Sequence, residues 1–139
     1  MRFPHHTRFP SAAHLASWAG MCPGNHESAG KRTSGRTRQG TRALRAALVE
    51  AAQAAGRTKQ TYLGAQFRRL AARRGKKKAA VAVGHTILVI VYHLLSEGTV
   101  YQALGPQYVD ARDRQRVARR LVHRREALGY QVALEAAAD

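Results

Sequence analysis

The chain has 139 residues, a formal net charge of +16 and a pI near 11.5. That length suits one small domain with a modest core, and an apolar fraction of 45% excludes intrinsic disorder as the source of the charge. So one-sided a charge calls for a polyanionic partner, nucleic acid before an anionic membrane surface, while the lone Cys22 excludes an internal disulfide and fits a reducing cytoplasm.

Residues 1–10 carry no periodicity and no apolar stretch of signal-peptide length, which predicts an irregular lead-in without an export signal. Ser11 is placed to cap a short helix running to about Ala19 and ended by Gly20, with Leu15 and Trp18 turned to a core. Residues 20–40 form a Gly- and Arg-rich loop. Thr41 is a plausible N-cap for a second helix, 42–55, stopped by Gly56, with Leu44, Ala47, Leu48, Ala51 and Ala55 as its apolar stripe. A third helix runs from Thr61 to about Arg74 and ends at Gly75. Leu63, Phe67 and Leu70 form its inner stripe.

The fourth helix, about 77–95, is apolar on nearly every side and is therefore expected at the centre of the domain, with Gly84 admitting a close neighbour. Its apolar run, 79–95, is interrupted by Gly84, His85 and His93 and is shorter than the roughly 20 residues of a membrane span, so a buried helix is expected and no membrane partner. A connector, 98–109, leads to a last helix from Asp110 to Gly129. Arg112, Arg116, Arg119, Arg120 and His123 fall on one side of it, and Val117, Leu121 and Leu128 on the other. The alternation over 130–134 suggests a short C-terminal edge strand. The expected fold is mostly α: about five helices in one domain, 11–139, with the Gly/Arg-rich loop near its start.

The cations are not scattered. Lys31, Arg32, Arg36, Arg38, Arg42 and Arg45 follow Glu27 without an intervening acid, and nine Lys or Arg, among them Arg68, Arg69, Lys76 and Lys77, lie between Glu50 and Glu97 with no acid among them. Solubility mixes signs, whereas single-sign fields steer anions, so these residues are assigned to nucleic-acid binding. Arg42 and Arg45 sit in the first turn of a helix, where the dipole disfavours cations by a few tenths of a kcal/mol each. A docked phosphate turns that cost into a gain; pointing into solvent leaves it small.

Ser28, by spacing alone, is a plain loop hydroxyl like Ser34, since serine attacks phosphorus only with a base or a strong electrostatic partner. His26 and Lys31 are near it in sequence. Cys22 and His26 lack a second ligand pair, and the eight acidic residues are spread out, so no metal site is expected within the chain. His85 and His93 read as core or boundary histidines.

Residues 15–25 (Leu-Ala-Ser-Trp-Ala-Gly-Met-Cys-Pro-Gly-Asn), 27–31 (Glu-Ser-Ala-Gly-Lys) and 40–45 (Gly-Thr-Arg-Ala-Leu-Arg), then 62–70, 83–88 and 128–130, resemble the C-terminal domain of bacterial insertion-sequence transposases of the 110/116/902 type. The resemblance covers nearly all of the chain beyond Arg8. It implies a DNA recombinase in which the serine of the Ser-Ala-Gly loop, here Ser28, attacks the DNA backbone to form a covalent intermediate. It further implies DNA as partner, a structured guide RNA, association with intact transposase subunits as a homo-oligomer, and a bacterial cytoplasmic, nucleoid-associated location. Full-length members of the family carry an N-terminal RNase-H-like domain whose carboxylates bind a divalent metal, Mg above all. This chain lacks that domain, so the expectation is a truncated chain that holds no cofactor and is inactive alone. The alternatives are a non-catalytic basic nucleic-acid-binding module and a basic helical interaction protein without a specific site.

Overall fold

A computed structural model of the chain describes residues 8–24 and 26–135, leaving out the side chains of His26, Arg32, Thr33, Val109 and Asp110. The expected lead-in is thus described only from Arg8. The order of elements is α1 (Ala12–Trp18), β1 (His26–Ser28), β2 (Lys31–Ser34), α2 (Arg42–Arg57), α3 (Tyr62–Arg74), α4 (Lys76–Glu97), α5 (Tyr108–Arg112) and α6 (Arg114–Glu126). The protein is mostly α, as the periodicity predicts. Contacts divide it into two units, Met1–Pro106 and Gln107–Asp139.

In the first unit α4 packs against α1, α2 and α3. One cluster joins Ala16, Ala19, Met21, Leu48 and Leu88; the other joins Ala52, Ala80 and Val83, flanked by Val49, Leu63, Phe67 and Leu70. Gly84 admits α2 at close range: a Cβ there would stand 2.7 Å from Met21 Cε and 3.2 Å from the Leu48 carbonyl oxygen. At 22 residues α4 is longer than the interrupted apolar run 79–95 suggests. An 18-residue window of it has mean hydropathy 1.8, enough in length and composition to cross a membrane, and a third of that window is buried in the protein.

Several boundaries differ from expectation for local reasons. Helix α2 continues through Gly56 to Arg57. Gly56 is there to admit the ring of Phe67, whose Cδ1 would lie 2.6 Å from a Cβ, and not to stop the helix. Of the expected stripe of α2, Leu48 is buried and Leu44 packs against the core, whereas Ala47 and Ala51 are exposed and Ala52, outside that stripe, is buried. Ser11 and Thr61 cap α1 and α3 by accepting from His14 N and Gly64 N, but Thr41 makes no side-chain cap bond. Trp18 is 54% exposed and does not face the core; its ring lies 5.4 Å from that of Phe9, whose carbonyl accepts a bond of 2.9 Å from the buried Tyr92 hydroxyl.

In the second unit the expected single helix is broken at Asp113 into α5 and α6, and α6 buries none of its described residues. The strand expected over 130–134 is not formed: that segment is irregular, following a helix end at which Gly129 takes φ 88°. The β structure of the described residues lies between α1 and α2 instead.

Candidate nucleic-acid interface

The loop 20–40 begins with a tight helix stop. Gly20 takes φ 71°, its N–H donates to Ser17 O (3.1 Å), and Met21 N–H donates to Ala16 O (3.0 Å), the double bond of a Schellman motif. Met21 is then only 2% exposed, and burying a side chain of that size stabilises by about 1.5–3 kcal/mol, which anchors the loop at its root. The far end returns to the same place. A Cβ on Gly40 would collide with the Ala19 carbonyl group and Gly20 N, and one on Gly20 would stand 2.7 Å from Gly40 N. Two bare backbones therefore touch at the neck of the loop.

Arg45, in the first turn of α2, fastens that neck. Its Nη1 donates to Gly20 O (2.7 Å) and to Thr37 Oγ1 (2.8 Å). From the neck the chain climbs as an antiparallel ladder, with a bridge between Pro23 and Thr37 and a 2.9 Å bond from Gly24 N–H to Arg36 O. It ends in the hairpin β1–β2, in register Glu27 with Arg32 and Ser28 with Lys31. The register shifts between His26 and Glu27. Ala29 (φ 50°) and Gly30 (φ 74°) make the two-residue connection, and positive φ at both is what a type I′ turn requires. Ala in that region is uncommon because its Cβ crowds the following carbonyl, at a cost of about 1–2 kcal/mol.

Ser28 is thus the last strand residue before the turn, exposed, on an ordered hairpin in place of the supple loop the sequence suggested. Directly cross-strand residues share a face with Cβ atoms about 4.5–5.5 Å apart, so Ser28 and Lys31 project from the same face of the hairpin. Among the described residues, no hydrogen bond reaches Ser28 Oγ. Ser34 is occupied differently: its Oγ accepts from Arg36 N–H at 3.2 Å.

The expected phosphate contacts fall into two groups. Lys31, Arg36 and Arg38 are exposed on the hairpin and its return strand, Arg32 lies in β2, and Arg42 is exposed at the start of α2 beside the neck. Arg45 belongs to the same region but is half-buried in its two bonds. Arg68 and Arg69 lie on α3, and Lys76 and Lys77 open α4. Arg68 is engaged by the end of α2, donating to Thr58 O (3.0 Å) and Gly56 O (3.5 Å). Arg57, in the last turn of α2, joins Arg68, Lys76 and Lys77 around one cavity. Sequence reading passed over it, because the four cations come from three separate elements.

A cation-bearing hairpin, clamped by its stem to a small helical scaffold, defines this as a basic helical protein with an ordered loop between α1 and α2. Residues 1–68 match the model of the Transposase IS116/IS110/IS902 family. The matched segment takes in α1, the hairpin, α2 and the first half of α3, just under half of the chain, and it agrees with the motifs read there. It supports a role in transposition or recombination, and it suggests DNA as a partner. No curated protein and no solved structure matches the chain.

The divalent metal that such a family implies finds no home in the residues described: no three His, Cys, Asp or Glu side chains among them gather into a group that could hold an ion.

Proposed function

We propose that this chain binds DNA through its clamped hairpin and supplies Ser28 as the nucleophile of an insertion-sequence transposase. The observation that carries the proposal is the pairing of Ser28 with Lys31 at the exposed tip of a hairpin whose stem is pinned to α1 and α2. A nucleophile must be held still and be reachable, and a tip on a rigid stem is both.

In the proposed step Ser28 Oγ attacks phosphorus, one P–O bond to the enzyme forms and one P–O bond to a sugar breaks. The displaced sugar hydroxyl takes up a proton, and the serine proton passes to a base. The phosphodiester count is unchanged, so the intermediate can be resealed onto a new strand. Lys31 neutralises charge on the phosphoryl oxygens, and Arg36, Arg38 and Arg42 hold the flanking phosphates. Arg45 acts through the backbone of Gly20 and keeps the stem in place.

We propose further that a second protein surface completes the site, because serine attacks phosphorus only with a base or a strong electrostatic partner. We propose that this surface is a carboxylate-bearing, RNase-H-like domain, on the same or a partner polypeptide, so that the part of the chain described here does not recombine DNA by itself. A structured RNA that selects the DNA is part of the same proposal, as is association with intact transposase subunits in the bacterial cytoplasm.

The test supplies that domain, the RNA and the DNA substrates and looks for a covalent protein–DNA adduct. It is expected with the unchanged chain and with Ser34→Ala, and is expected to vanish with Ser28→Ala. An adduct that survives Ser28→Ala leaves the rival reading, a non-catalytic nucleic-acid-binding module.

A further inference from the structure

The corner where α2 ends, α3 passes and α4 begins holds a cavity of about 510 Å³, lined by Gly56, Arg57, Phe67, Arg68, Lys76 and Lys77 among others. We infer that this cavity is a nucleotide subsite, seating one phosphate of a DNA strand between Arg57, Arg68, Lys76 and Lys77 with the attached sugar or base against Phe67. The inference rests on the DNA-binding reading, but it concerns a place separate from the hairpin, and α4 lies outside the segment that matches the transposase family.

Three observations converge. The first is charge: four cations from three elements line one concavity, and no carboxylate is among its lining residues. Like charges brought together on a folded surface repel, and a bound anion removes the repulsion. The second is preorganisation. Arg68 is exposed, but its Nη1 donates to the Thr58 carbonyl (3.0 Å) and more weakly to that of Gly56 (3.5 Å) at the end of α2. Those bonds hold one edge of the guanidinium at the cavity and leave its other N–H groups for a phosphate, whose planar bidentate recognition suits arginine.

The third is the shape of the wall. Phe67 lies over Gly56, where even a methyl group would press on the ring, and an aromatic surface beside a cation cluster suits a ligand that is anionic at one end and flat and apolar at the other. The opening of α4 adds to this. Its N-cap, Gly75, makes no side-chain cap bond, and its first turn holds Lys76 and Lys77 and no acid, so the helix start is left open and cationic. Cations there work against the helix dipole unless an anion lies between them.

The experiment is a titration of the isotope-labelled chain by nuclear magnetic resonance with thymidine 5′-monophosphate, inorganic phosphate and thymidine, on the unchanged chain and on Lys76→Gln/Lys77→Gln. Removing two cations from a helix start does not weaken the helix, and far-UV circular dichroism checks that it is intact. The nucleotide is expected to shift the Lys76 and Lys77 amides and the Phe67 ring signals saturably. Phosphate is expected to reach the amides alone, and thymidine neither. In the double variant the nucleotide affinity is expected to fall about tenfold or more. Shifts that do not saturate, or that are unchanged in the variant, overturn the inference.

Binding of oligothymidylate, measured alongside, separates the two readings. If it binds with a steep salt dependence that the double variant leaves unaltered, the subsite fails and the DNA-binding reading stands. If the mononucleotide saturates the cavity while oligothymidylate does not bind, the cavity takes a free nucleotide and not a strand, and the inference is overturned together with the DNA-binding reading.

Discussion

Replacing Arg45 by Met separates the two jobs an arginine in this region can do. Met keeps most of the unbranched stem and removes the guanidinium, so the 2.7 Å bond to Gly20 O and the 2.8 Å bond to Thr37 Oγ1 are both lost. A charge-assisted bond contributes about 1.5–3 kcal/mol where water is excluded. Arg45 is half-buried, and water can reach part of what it leaves behind, so about 2–3 kcal/mol for the pair is the reasoned cost. For a unit of this size that corresponds to a fall of roughly 8–20 °C in Tm. Thermal unfolding measures the fall. Hydrogen exchange at the Gly24 amide, bonded to Arg36 O across the stem, localises it to the loop. The contrasting variant, Arg42→Gln, touches an exposed side chain with no role in the neck, and is expected to change stability by less than about 0.5 kcal/mol while weakening DNA binding. Should Arg45→Met leave Tm and Gly24 exchange unchanged and instead flatten the salt dependence of DNA binding, Arg45 is a phosphate contact and the stapled neck is wrong.

Three more expectations follow from the same geometry. Gly40→Ala drives a methyl into the backbone of Ala19 and Gly20 and is expected to cost about 3 kcal/mol in urea unfolding, whereas a cost below 1 kcal/mol contradicts the backbone contact at the neck. Ala29→Gly relieves a positive φ and is expected to slow amide exchange in the hairpin and stabilise it by about 0.5–1 kcal/mol; a loss of stability contradicts the turn assignment. In Arg36→Gln/Arg38→Gln, the slope of log affinity against log salt for duplex DNA is expected to fall by about 2, with the melting temperature unchanged, and an unaltered slope removes these residues from the interface.

The helices were legible because their apolar residues recur every three to four positions and most ends carry Ser, Thr or Gly. Where the pattern was thin, detail was lost. Helix α2 is so rich in Ala that Ala47 and Ala51 fit beside Leu44 and Leu48 as well as Ala52 does, and only the folded packing buries Ala52 and leaves the other two exposed. Gly56 reads as a helix stop in one dimension and proves to be a seat for Phe67 in three.

The hairpin was hidden for a different reason. Segment 26–34 has no alternation of apolar and polar residues, and its connection is Ala-Gly, not the usual Asn-Gly or Asp-Gly, so neither period nor turn chemistry announced it. The register that sets Ser28 against Lys31 is a backbone fact. The cations were visible at once, but their division of labour was not. Arg45 meets Gly20 across 25 positions, and Arg57, Arg68, Lys76 and Lys77 converge only when α2, α3 and α4 are folded.

The central claim, that the hairpin carries a serine to a phosphodiester, is tested most directly by locating the covalent bond itself. Protein–DNA adducts formed with all partners present are digested with protease and nuclease and sequenced by tandem mass spectrometry. The account predicts a nucleotide remnant on Ser28, next to the Ala29-Gly30 turn. A remnant on another residue, or a complete reaction that never links protein to DNA, contradicts it.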